Sequence, residues 1–161
     1  MKKIVDRLST VLMNIAAFLL VVLVVLATLQ VVTRYFISVQ VIWVEEVSIY
    51  LVTWIAAVGI PWMWLRQGHI KMDVLNFVLP AKVLRIMDYF INLVALVASV
   101  GIIRIGMISV KVNTGYVLSV IKMDEGLRYY PVVAAGVLLL VSSILVLGTM
   151  IEEDRRVSHA G

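Results

Sequence analysis

Leu8 to Thr33 reads LSTVLMNIAAFLLVVLVVLATLQVVT, a run without a single charged residue. A hydrocarbon core of roughly 30 Å takes about 20 helical residues to cross. In lipid every backbone N–H and C=O must be satisfied within the structure, so a long, non-alternating run of this kind predicts a transmembrane helix. Three further stretches read the same way: Val47–Leu65, Tyr89–Val110 and Tyr129–Ile151, with Arg104 the one charge among them. The expected fold is therefore an all-α integral membrane protein of four transmembrane helices forming a single domain over residues 1–161.

Composition agrees. Hydrophobic residues make up 63% of the chain, against roughly 45–50% for a typical soluble domain. There are no cysteines, which excludes disulfides, thiolate metal sites and cysteine catalysis. Met1-Lys2-Lys3 before an apolar run imitates a signal peptide, but the run exceeds the usual h-region of about 7–15 residues and no small-x-small site closes it. It reads as an uncleaved first span. The net charge of +4 points to orientation in a bilayer rather than to nucleic acid. Lys2, Lys3, Arg7, Arg66, Lys71, Lys82, Arg85, Arg155 and Arg156 fall on the side shared by both termini and the second connection. Arg34, Lys111, Lys122 and Arg128 fall on the other. The positive-inside rule then predicts both termini in the cytoplasm, in a multi-pass membrane protein.

The connections are short. Arg34–Glu46 carries aromatics suited to the membrane interface. In the second connection Val74, Leu75, Val78 and Leu79 recur at helical spacing before Pro80, which predicts a short amphipathic helix lying along the interface. Lys111–Arg128 mixes apolar and charged residues and invites the same expectation on the outer side. No internal repeat is evident, which argues against an alternating-access transporter built from this chain alone.

Few polar groups remain to carry function. Trp43, Glu45 and Glu46 open the second span. One reading has the two acids favoured by the helix macrodipole and Trp43 as an interface anchor. The other has one glutamate holding a neighbouring helix or subunit; adjacent residues diverge by about 100°, so the two acids cannot share a partner. Arg104 lies inside the third span, where a charge must snorkel or pair, and Glu45 or Glu46 is its candidate partner. Gly68 suits a helix C-cap, and His69 suits an anchor in the connection better than a haem or metal ligand, since its one fellow, His159, lies in the polar tail. Asn14, Gln30 and Asn92 are expected to hydrogen-bond between helices, and Thr28 and Ser99 to bond their own helix backbone. No phosphate loop, metal-spaced cluster or nucleophile–base pair is present, so neither enzymatic activity nor a cofactor is expected.

The order of these features resembles a known family. Four spans, Trp43-Val44-Glu45-Glu46 opening the second and Arg66-Gln67-Gly68-His69-Ile70-Lys71-Met72-Asp73 closing it, are similar to the small membrane subunit (Q component, DctQ-like) of TRAP transporters, the tripartite ATP-independent periplasmic transporters of bacteria and archaea. Pro131 and Gly136, five positions apart, depart from the proline–small–glycine turn that members often carry there. The resemblance implies partners: a large many-helix membrane subunit, a periplasmic substrate-binding protein, and the surrounding membrane lipid. It implies sodium-driven uptake of an organic acid such as a C4-dicarboxylate or sialic acid, with sodium and substrate held on the large elevator-type subunit. This chain would be a scaffold, with Trp43, Glu45, Glu46, Gly68, His69, Asp73 and Arg104 as structural or interface candidates. Two alternatives stay open: a self-sufficient four-helix transporter or channel acting as a homo-oligomer, and an assembly subunit of another membrane complex.

Overall fold

A computed structural model describes residues 2–37, 41–67, 81–117, 122 and 124–159. The backbone forms four long helices: α1 (Lys2–Val32), α2 (Ile42–Gln67), α3 (Ala81–Asn113) and α4 (Tyr130–His159). All four carry a stretch long and apolar enough to cross a membrane. The helices outrun the uncharged stretches at most ends. Charges limit how far a segment can enter lipid, but they do not interrupt i→i−4 hydrogen bonding, so α1 begins at Lys2 and α4 continues through Glu152.

The spatial order differs from the chain order. α1 packs on α2, α2 on α4, and α4 on α3, while α1 meets α4 only slightly and α2 shares no substantial interface with α3. The row therefore runs α1–α2–α4–α3. α1 docks through Val5, Ser9, Leu12, Ala16, Leu19, Leu23, Leu26 and Gln30, all buried or half-buried and spaced alternately by four and three residues. That is the spacing of left-handed helix pairs. Where α1, α2 and α4 converge, Val5, Leu12, Val58, Leu65 and Val146 form a buried cluster, with Trp62, Trp64 and Met150 packed against it.

The α3–α4 seam is made by small residues. A Cβ on Gly136 would fall 2.7 Å from Ile103 Cγ1 and 3.1 Å from the Ser99 carbonyl oxygen, and one on Gly106 would fall 2.8 Å from Val133 Cγ2. The two backbones thus approach closely, as small residues allow in membranes. Across the same seam the amide of Asn92, only 1% exposed, donates to the Ser143 carbonyl at 3.2 Å. Ser99 and Thr28 donate to their own helix at Leu96 O and Val24 O. Asn14, by contrast, is exposed, and Gln30, though half-buried on the α1 seam, makes no interhelical hydrogen bond among the described residues.

The connections hold the other differences. After α1 a π-helical turn, Thr33–Ile37, presents Tyr35 (75% exposed) and Phe36 (85% exposed), in keeping with interfacial aromatics. The described residues of the segment expected as an outer amphipathic helix, 111–117, 122 and 124–128, fold differently. α3 runs on to Asn113, Gly115 reverses the chain with φ +98°, and Val117 and Asp124 form an isolated antiparallel bridge before a 3-10 helix, Glu125–Tyr129. Asp124 is the physical reason: its carboxylate accepts from Gly115 N at 3.2 Å and Gly126 N at 2.8 Å, closing the loop on itself. The interfacial helix expected around Val74–Leu79 lies outside the described residues.

Candidate functional site

The first turn of α2 is built around Val44. Its side chain is fully buried, its N–H donates to Val41 O at 3.2 Å, and its carbonyl accepts from Ser48 Oγ at 2.7 Å. With Val44 turned inward, the 100° step of the helix sends its neighbours elsewhere. Trp43 is 45% exposed, Glu45 is exposed and Glu46 is half-buried. Glu45 sits in the first helical turn, where the partial positive charge of the helix N-terminus favours a carboxylate. The two acids thus take different environments, one outward and one partly inward.

Glu45 also begins a longer feature. Ile42, Glu45, Ile49, Val52, Ala56, Ile60, Met63 and Arg66 are all exposed, and their three- and four-residue spacing places them on one side of α2. The opposite sides of α2 are occupied by α1 and α4. The result is an apolar stripe running the length of the helix, with an acid at one end and a base at the other. Arg66 closes it over the Trp62 ring, its Cζ 5.8 Å from the centroid, so the cation is held by a π face. Tyr50 and Trp54 meet edge to face, centroids 6.2 Å apart, one turn from each other on the same helix. Reasoning from sequence missed the stripe because every residue of α2 between its ends is apolar or weakly polar, which hides which side is packed.

Arg104 lies elsewhere. It is exposed on α3, and among the described residues no ion pair joins it to Glu45 or Glu46. The spatial order explains this: among the described residues α4, not α2, packs against α3. The candidate pairing, one of two readings of Arg104, is thus absent among the described residues. Gly68, His69 and Asp73 fall outside the described residues. No group of three or more potential metal ligands occurs among the described residues.

Comparison with known proteins bears on this arrangement. Residues 23–153 match the family model described as "Tripartite ATP-independent periplasmic transporters, DctQ component". Over 122 residues the chain is 30% identical to a Haemophilus influenzae protein named "Putative TRAP transporter small permease protein", spanning 76% of this chain and 74% of that relative. The match includes α2, α3 and most of α4, and so contains both the exposed α2 stripe and Arg104.

Proposed function

The chain belongs to the DctQ-component family of tripartite ATP-independent periplasmic transporters, and we propose that it is the fixed scaffold beside a large, moving membrane subunit. It is a transporter component of the small-permease type; its coupling to sodium, its organic-acid cargo and its elevator-type partner are the finer parts of this proposal. The observation that carries the scaffold role is the row α1–α2–α4–α3. A row of four spans buries little of itself, and it leaves an apolar stripe on α2 from Ile42 to Arg66 that spans a bilayer. Such a surface meets either lipid or a neighbouring membrane protein, and a family of multi-subunit transporters supplies the neighbour.

Orientation fits the same reading. Basic residues concentrate on the side of both termini, which supports a cytoplasmic location for them in the inner membrane. Exposed Trp43 and Glu45 would then face the outer side, where a substrate-binding protein would dock. Sodium and substrate sites are assigned to the large subunit.

Co-purification tests the proposal. The source genome should encode a many-helix permease and a secreted solute-binding protein next to this gene. Tagged chain co-expressed with that permease should retain it in mild detergent. Recovery of the chain without the permease, under conditions where both insert, would refute the assignment.

A further inference from the structure

We propose that Arg104 forms a membrane-embedded ion pair with a carboxylate of the large subunit, and that the face of α3 opposite α4 is thereby an interface. The inference rests on the two-subunit reading above. The α3 span covers Val83–Asn113, so Arg104 lies about six residues, or roughly 9 Å, from its midpoint. That depth is within a hydrocarbon half-thickness of about 15 Å. A guanidinium at that depth is costly unless it meets water, a phosphate or a carboxylate.

Among the described residues the chain itself provides no partner. Of its ten acids, Glu45, Glu46, Asp124 and Glu125 are near the same end of the bundle as Arg104; the rest belong by chain order to the other end. Glu45 and Glu46 are on α2, which does not pack on α3. Asp124 is committed to the Gly115 and Gly126 N–H groups. No ion pair involves Arg104 among the described residues, Glu125 included.

Direction then separates lipid from protein. The nearer water boundary is toward Asn113, the C-terminal end of α3. In a helix each Cα–Cβ bond tilts toward the N-terminus, so the Arg104 side chain sets out away from the closer interface and its phosphates. Lys111, seven residues on and exposed on the same face, sits at the boundary itself, the better position for a headgroup. Arg104 is flanked on that face by Leu93, Val97 (68% exposed), Val100 and Ile108, all apolar. Five residues from Ser99, the arginine is turned by about 140° from the seam that Ser99 makes with α4. A lone cation in an apolar, outward face fits an intramembrane carboxylate from an adjoining helix.

The test uses the co-expressed complex with Arg104→Leu and Arg104→Gln. Both variants of the isolated chain should keep their helicity and melt no earlier than wild type, because Arg104 is exposed and makes no ion pair among the described residues. Retention of the large subunit in detergent should fall about tenfold or more, as expected when one member of a buried charge pair is removed. Retention equal to wild type for both variants overturns the inference. So does loss of a bound anionic phospholipid, seen by native mass spectrometry, with retention unchanged, since the partner is then a headgroup. If wild-type chain fails to retain the large subunit, the two-subunit reading falls and the inference with it.

Discussion

Gly136 shows how little room α3 and α4 leave between them. Its absent Cβ would lie 3.0 Å from the Ile103 N and 2.7 Å from Ile103 Cγ1, so the neighbour must move if any side chain is added. Gly136→Leu should cost about 1–3 kcal/mol, the usual penalty of overpacking, seen as a lower melting temperature in detergent; an unchanged midpoint would contradict the seam. Asn92 is a subtler case. It donates to the Ser143 carbonyl, but its own Oδ1 and the Ser142 and Ser143 hydroxyls are buried without partners among the described residues. Half-satisfied polar groups contribute less than their number suggests. Asn92→Ala should therefore lose only about 0.6–1.7 kcal/mol, the range of interhelical hydrogen bonds in membranes, measured by unfolding in mixed micelles. In the outer loop Asp124→Ala removes the acceptor for two backbone N–H groups. Amide exchange at Gly115 and Gly126 should accelerate markedly while α4 stays protected; unaltered exchange would show that the carboxylate does not hold the loop.

Helices as elements were legible in the sequence, whereas their faces were not. Charge-free runs such as Leu8–Thr33 mark a span because lipid rejects charges. Within α1, however, the docking seam of Val5, Ser9, Leu12, Ala16, Leu19, Leu23 and Leu26 is no more apolar than the exposed side with Phe18, Val21 and Val25. Lipid and protein neighbours demand the same residues, so the amphipathic contrast that orients a soluble helix disappears. The same loss misplaced Asn14, a polar residue inside a span that turns outward, and it suggested a contact between Arg104 and α2 where α4 intervenes. Asp124 had a readable signal in Asp-Glu-Gly, an acid two residues before a glycine, where it caps the 3-10 turn. The seam on α1 yields its own expectation. Leu12→Ala should lower stability by about 1–3 kcal/mol through the cavity it leaves, while Val24→Ala on the exposed side should stay within about 0.5 kcal/mol; equal effects would deny that α1 docks by this face.

The described residues form a row of four spans whose sides are largely exposed. Soluble proteins cannot leave so much apolar area open, and a membrane protein can, because lipid covers it. What distinguishes this row is the pair of features placed on its open sides: the acid-to-base stripe of α2 and Arg104 of α3, which makes no ion pair among the described residues. Both are suited to holding a neighbour in register. The family match places the chain among small TRAP permease components, and the scaffold role we propose would turn that placement into a division of labour. The most direct test is uptake in proteoliposomes under a sodium gradient, with this chain alone and with the large subunit and binding protein added. The account predicts no uptake by the chain alone and sodium-dependent organic-acid uptake by the assembled system. Sodium-dependent uptake by this chain alone would contradict it.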